Sequence, residues 1–317
     1  DFGYVRNLET IPEEVIKNFG ADILRLWVVA SDYSEDLKID KAILNQHAES
    51  YRKIRNTLRF LLGNLSDKLL NDDFSKIEYS KLSSLEKYIL TQVYDFDLRF
   101  RDYIKSYNFH KIYVELLNFC TLDLSAFYFD IKKDILYCDS EISQRRNHCL
   151  EVLNVLINFL LKWFSPILAF TTEEAYQVIK NKNYKSIHLQ DFSVIPSIWN
   201  NSEIKNKWIG IKKVKQVVNA AIEDIRNKKI IGSNLEANVI VYLKNEYLNL
   251  LKGEDLSEIF ICSEARAESF INQNDLFSLK DVEGVAVKIL KAKGQKCSRC
   301  WKILEKPCSR DICGLKN

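Results

Sequence analysis

Four of the eight cysteines in this 317-residue chain lie in its last 21 residues. Cys297-Ser298-Arg299-Cys300 is a C-x2-C knuckle. Two thiolates at that spacing can grip one tetrahedral zinc ion, with each sulfur about 2.3 Å from the metal. The neighbouring cations Lys296 and Arg299 favour the ionised thiols. A full ligand set needs Cys308 and Cys313 as well, which follow at irregular spacing with no His nearby. A structural zinc site is one reading. A redox pair lacking its usual strand–helix context and incidental cysteines are the others. Cys120, Cys138, Cys149 and Cys262 are scattered through apolar segments, unlike the framework of a secreted disulfide protein, so a reducing compartment is expected.

The charge of the chain is uneven. Lys288 to Asn317 hold nine Lys/Arg against two Asp/Glu, about +7 within a chain of net charge +3. The remainder is therefore acidic, and the basic end suits a polyanionic partner. Trp301 follows the knuckle beside Arg299 and Lys302. It can stack an unpaired base, or it can cover the metal site as a small core. A second basic stripe, Arg52, Arg55 and Arg59, recurs at spacings of three and four with Asn56 alongside, so on a helix it shares one face. Such guanidinium groups can fork onto RNA phosphates, although a plain solvated face has the same pattern. Lys212, Lys213, Lys215 and Arg226-Asn227-Lys228-Lys229 read as ordinary surface.

No catalytic constellation stands out. The carboxylates Asp32, Glu35 and Asp36, and the pair Glu173-Glu174, are explained by capping and helix-dipole complementarity. His47, His110, His148 and His188 are far apart, and no glycine-rich phosphate loop exists. Asp1-Phe2-Gly3 matches a kinase metal motif without the loops that should accompany it. The absence of Met and the opening at Asp1 are expected of a piece or a processed product. The apolar stretch Val152 to Phe170 is broken by Lys162 and Pro166, so no membrane span is expected.

The elements that must position these residues are mostly helical. Pro12-Glu13-Glu14 starts a helix that Gly20 interrupts, and a second short helix follows from Ala21. From Asp40 to about Lys182 the apolar period is helical. One helix should end at Gly63-Asn64. Others cover Ser84 to Phe109, Lys111 to Phe127 and Arg145 to Phe164, with a break at Pro166. Thr171 or Thr172 is the expected cap of the next helix. Residues 186–205 read as a linker with one short strand at Ile187 to Leu189. Beyond them come a helix over Trp208 to Arg226 and strands at Ala237 to Leu243, Ile259 to Ile261 and Val285 to Ile289.

The order of segments resembles the C-terminal portion of a bacterial-type isoleucyl-tRNA synthetase, a class I aminoacyl-tRNA synthetase. The matching blocks begin with Gly20-Ala21-Asp22-Ile23-Leu24-Arg25-Leu26-Trp27 and Ser31-Asp32-Tyr33-Ser34-Glu35-Asp36-Leu37. Next come Tyr51-Arg52-Lys53-Ile54-Arg55-Asn56-Thr57-Leu58-Arg59-Phe60 and Asp123-Leu124-Ser125-Ala126-Phe127-Tyr128 with Lys133-Asp134-Ile135-Leu136-Tyr137. Pro166-Ile167-Leu168-Ala169-Phe170-Thr171-Thr172-Glu173-Glu174, Ile231-Gly232-Ser233-Asn234-Leu235-Glu236-Ala237 and the cysteine knuckle with Trp301 close the series. Two departures stand beside these matches. Tyr4-Val5-Arg6-Asn7-Leu8 does not match the KMSKS-type loop, and the second cysteine pair is not C-x2-C, with Lys316 where a ligand would fall.

The resemblance implies a mainly α protein: an anticodon-binding helical bundle, a small α/β junction and a C-terminal zinc-knuckle tail. The expected division is 1–39, the end of a catalytic domain; 40–185, the bundle; 186–287, linker and junction; and 288–317, the tail. It implies tRNA(Ile) as partner, contacted by Arg52, Arg55, Asn56, Arg59, Lys296, Arg299, Trp301 and Lys302. Cys297, Cys300, Cys308 and Cys313 would hold structural zinc. The parent enzyme would use ATP outside this chain to attach isoleucine to tRNA. It would act in the cytoplasm as a monomer, with the catalytic and editing domains elsewhere in the synthetase. The alternatives are part of a valyl- or leucyl-tRNA synthetase, a helical protein-interaction module with no RNA role, and a decayed fragment.

Overall fold

The computed structural model describes residues 11–34, 36–65, 72–180, 182, 184–271, 275–310 and 313. The readings placed on Asp1-Phe2-Gly3, Tyr4 to Leu8, Glu35 and Lys316 lie outside the described residues. The chain forms two compact units from interleaved segments. One takes residues 1–78, 92–128 and 150–200, and the other takes 79–91, 129–149 and 201–317. The sequence-based division was linear, whereas long helices here contribute to both units.

The first unit is helical. It contains α1 (Pro12–Phe19), α2 (Ala21–Ala30), α3 (Lys41–Leu65), most of α4 (Ser84–Lys105), α5 (Phe109–Asn118), most of α7 (Gln144–Phe164) and α8 (Ala169–Val178). Gly20 joins α1 to α2 at φ +92°, a left-handed conformation that side chains resist. The core is aromatic. Trp163 meets Phe96 edge-on at 4.6 Å between ring centroids, with Phe159 and Phe100 around it. Its buried indole N–H donates to the Asp97 carboxylate at 3.0 Å, which also accepts from Arg101 at 2.7 Å. The ring's one polar atom is thereby satisfied inside an apolar cluster.

The second unit joins α6 (Asp130–Cys138), α9 (Ser202–Asn227), α10 (Asn245–Leu251) and α11 (Leu256–Ile259) to a three-stranded sheet. Strand β1 (Ala237–Leu243) lies in the middle, parallel to β2 (Glu264–Ser269) and antiparallel to β3 (Val285–Lys291). Val241 pairs with Ala267 on one side and Val287 on the other. Helix α9 packs on the sheet through Val214, Val217, Val218, Ala221 and Ile222, all buried. Gly210 lets α9 approach α10 closely, since a Cβ there would fall 2.2 Å from Leu250 Cδ1 and that side chain would have to shift. The tail forms a small hairpin of β4 (Gln295–Lys296) and β5 (Ile303–Leu304).

Several local expectations are corrected. Ile187–Leu189 is a 3-10 turn, capped by the Ser186 hydroxyl accepting from His188 N–H, not a strand. Ile259-Phe260-Ile261 is the end of α11, which Asp255 caps, and the third strand is instead Glu264–Ser269. Helix α3 runs past Gly63 to Leu65. The helical pattern from Lys111 widens at Phe119–Phe129 into π-type turns before continuing as α6. Neither Thr171 nor Thr172 caps α8, since both lie inside it and are buried. The continuous helical run Phe109–Cys138 is long and apolar enough to cross a bilayer by length and composition, and half of its most apolar window is buried within the fold. A core helix passes the same test.

Candidate nucleic-acid interface and thiol centre

Each unit holds one of the two sites. In the first unit, α2 organises the restart after Pro166. Arg25 donates to the Pro166 carbonyl at 2.7 Å and the Ile167 carbonyl at 3.0 Å. The Asp22 carboxylate accepts from Phe170 N–H at 3.3 Å and Thr171 N–H at 2.7 Å. Asp22 thus performs the capping that the sequence assigned to a threonine, from another helix, and its charge suits the positive end of α8. The Thr171 hydroxyl bonds Asp22 at 2.6 Å and the Tyr51 hydroxyl of α3 at 2.9 Å. Tyr51 accepts from Arg55 at 3.1 Å, and Arg55 forks onto Glu174 of α8 with two contacts of 3.0 Å. One chain of hydrogen bonds therefore links Asp22, Thr171, Tyr51, Arg55 and Glu174.

That chain sorts the predicted face. Arg52, Arg55, Asn56 and Arg59 all lie exposed on α3. Arg52 is paired with Glu49 one turn back. Arg55 is held by Glu174, whose hydrogen bonds favour the charged form of both partners, raising the arginine and lowering the carboxyl. Arg59 has no carboxylate in ion-pair reach among the described residues. Beside it opens a cleft of about 360 Å³ floored by Leu58, Leu62, Ala175 and Val178, with Arg55 and Arg59 on its rim. Glu174, Tyr51 and Thr171 escaped sequence reasoning as parts of this site. The available signal was the four-residue step from Tyr51 to Arg55.

In the second unit the four tail cysteines converge. The sulfurs of Cys297, Cys300, Cys308 and Cys313 all lie within 4.8 Å of one another. Tetrahedral zinc thiolates are about 3.8 Å apart, from a Zn–S bond of about 2.3 Å. The donor set therefore fits a thiophilic cation, and the irregular spacing is absorbed by the loop after β5. The knuckle turn is closed by Cys297 N–H to the Lys302 carbonyl at 2.9 Å and Trp301 N–H to the Cys297 carbonyl at 3.0 Å. Partial burial pushes the Cys297 thiol up. The backbone N–H groups of Cys300 and Arg299 and the neighbouring thiols outweigh that and bring it to about 7. Burial pushes Cys300 up to about 12 and raises Cys313 too. Without a cation one thiolate forms easily and resists the next. A bound divalent ion would compensate the further charges.

The knuckle presents Trp301 to solvent. Its backbone takes φ +62°, and its side chain is 61% exposed. The reading in which Trp301 covers the metal site therefore does not hold. Lys296 Nζ stands 5.8 Å above its ring. Arg299 is exposed, but one of its guanidinium nitrogens donates to the Tyr137 carbonyl at 2.8 Å. Lys302 is turned inward, with its side chain 11% exposed and its amine 3.8 Å from Asp134. Arg310, which the sequence did not single out, forks onto Asp134 at 2.5 and 2.8 Å and approaches Asp139 at 3.6 Å. Lys296, Arg299 and Trp301 thus share the outer face of the knuckle, while Lys302 and Arg310 dock it onto α6.

Residues 86–241 match the family described as the anticodon-binding domain of tRNA ligase. Over nearly its whole length the chain is homologous to isoleucine–tRNA ligases. It is 48% identical to that of Pelagibacter ubique (strain HTCC1062) over 94% of this chain and 32% of the relative. It is 41% identical to that of Agrobacterium fabrum (strain C58) over 92% of this chain and 30% of the relative. With that of Ruegeria pomeroyi (strain DSS-3) it shares 40% identity, over 93% and 30%. The chain spans about a third of the length of these relatives.

Proposed function

We propose that this chain binds the anticodon stem and loop of tRNA(Ile) as part of a cytoplasmic isoleucine–tRNA ligase. That enzyme joins isoleucine to tRNA using ATP in catalytic and editing portions that are not among these residues. The observation that carries the reading is the exposed Trp301 on a four-thiol knuckle with Lys296 and Arg299 beside it. An exposed indole next to cations is the arrangement that holds a splayed base, at about 1–3 kcal/mol per stacked base. Zinc held by Cys297, Cys300, Cys308 and Cys313 would fix the turn that projects the ring. Arg52, Arg55, Asn56 and Arg59 line a second surface suited to the phosphate backbone.

The test is a titration of the chain, and of its Trp301→Ala variant, with three RNAs at two salt concentrations. The RNAs are tRNA(Ile), the same tRNA with an altered anticodon, and tRNA(Val). A preference for unaltered tRNA(Ile) that survives at high salt and is lost in Trp301→Ala supports the proposal. Equal binding to all three that fades with salt leaves only a basic surface and refutes it.

A further inference from the structure

The thiol centre contains a fifth cysteine. Cys138, at the end of α6, forms one buried cluster with Cys300 and Cys313, and Cys297 and Cys308 pack against it. It comes from a segment 159 residues before the knuckle and is not needed for a four-ligand site. Contacts from Arg299 and Arg310, beside that of Lys302, hold the tail around it. Arg299, next to Cys300, is bonded to the Tyr137 carbonyl, next to Cys138. Arg310, three residues before Cys313, forks onto Asp134 and approaches Asp139. The anchoring positions Asp134, Tyr137 and Asp139 lie on either side of Cys138 in sequence, and Arg299 and Arg310 lie between the tail cysteines. The thiol is therefore kept beside the cluster by groups other than a metal.

We infer that Cys138 is a resolving thiol, a site at which a peroxide cross-links the tail to α6. The half-exposed thiols Cys297 and Cys308 meet the oxidant first. One is oxidised to a sulfenic acid as the peroxide is reduced, releasing one water. The Cys138 sulfur then attacks the sulfenic sulfur. A disulfide forms, the S–O bond breaks and a second water leaves with the Cys138 proton. Two thiols and one hydrogen peroxide give one disulfide and two waters. The product retains three free thiols in the cluster, too few for a tetrahedral all-thiolate site, so oxidation and metal retention oppose each other. The inference rests on the packing of the cysteines and is independent of any RNA role.

The sequence makes the test unambiguous, because trypsin places each of the five cysteines on its own peptide. Cys138 falls in Asp134–Arg145, and the tail cysteines fall in four separate peptides. The full chain is stripped of metal with a chelator, treated with equimolar hydrogen peroxide, alkylated and mapped without reduction. The expected result is a major cross-link between the Cys138 peptide and a tail peptide, absent in Cys138→Ser. Asp134→Ala, which frees Arg310, should lower its yield severalfold in favour of tail-to-tail pairs. Recovery of Cys138 in alkylated form, with disulfides confined to the tail or absent, overturns the inference. So does an undiminished yield in Asp134→Ala, which would mean that docking does not position the thiol.

Discussion

The three arginines of α3 are equal in sequence and unequal in the fold, and RNA binding should expose the difference. Arg59 faces the cleft with no carboxylate partner among the described residues, whereas Arg55 is forked onto Glu174. A free cation that neutralises one phosphate displaces about 0.7–0.9 counterion per contact, so it adds that much to the salt slope. Between 50 and 200 mM salt, one such contact is worth about threefold in affinity. Arg59→Ala should therefore bind tRNA with a slope shallower by about 0.7–0.9. Arg55→Ala removes a cation already balanced by a carboxylate, so its slope should change by much less. Glu174→Gln releases Arg55 to meet phosphate and should steepen the slope by about the amount that Arg59→Ala removes.

The assay is a set of binding isotherms at four or more salt concentrations for the wild type and the three variants. All three positions are exposed, so folding stability should move by no more than about 0.5 kcal/mol. An urea unfolding curve on each variant checks this. Equal slope losses in Arg55→Ala and Arg59→Ala, with no change in Glu174→Gln, would refute the reasoning. The ion pair would then open on binding, and its geometry in the free chain would not govern recognition.

Other outcomes follow from buried groups. Lys132 is 3% exposed and bonded to Glu86 at 2.6 Å and Glu258 at 2.8 Å. Lys132→Ala leaves two carboxylates facing each other, and urea denaturation should show a loss of about 3–5 kcal/mol. Lys215, which the sequence places on ordinary surface, is buried, and burial pushes its amine down to about 8, well below its unfolded value. Below pH 8 both states carry the proton. Between pH 8 and about 10.4 only the unfolded state does, so stability should rise with pH, by about 3 kcal/mol at most. Lys215→Met should lack that rise when the two are compared by denaturation at pH 7.5 and pH 10. Purified chain should retain about one zinc by metal analysis, and Cys308→Ser should retain markedly less after dialysis against a weak chelator. Equal retention would remove Cys308 from the ligand set.

Much of the architecture was legible because long helices announce themselves by period. The bounds expected for the helix from Ser84 and for that over Arg145 to Phe164 fall within a few residues of α4 and α7. What escaped was set by partners distant in sequence. Strand β2 reads Glu-Ala-Arg-Ala-Glu-Ser, which carries no apolar run, because among the described residues it is an edge strand paired with β1 alone. Charged edges of that kind discourage pairing with another chain. Ile259-Phe260-Ile261 has the composition of a strand. Asp255 starts a helix just before it, and Ile261 takes φ +55° as the helix ends. The sequence offers a cap for α8 in the residues beside it, but the carboxylate that fills that place belongs to Asp22, 147 residues earlier than Ala169.

The same limit applies to charge. The tail's excess of about +7 is a property of composition, but a cation spent on docking is not available to a ligand. Lys302 and Arg310 neutralise Asp134 and Asp139 on α6, and Lys288 lies 3.3 Å from Asp275. Lys291, Lys293, Lys296 and Lys306 remain exposed without a carboxylate partner among the described residues. The basic tail thus divides into cations that seat the knuckle and cations that face outward. Only the second group, with Arg299 on its edge, adds to the field a polyanion meets. The first group does something that the tally hides: it holds the loop that carries Trp301 in place before any RNA arrives. Preorganisation of that kind lowers the ordering cost of binding and favours discrimination over raw attraction.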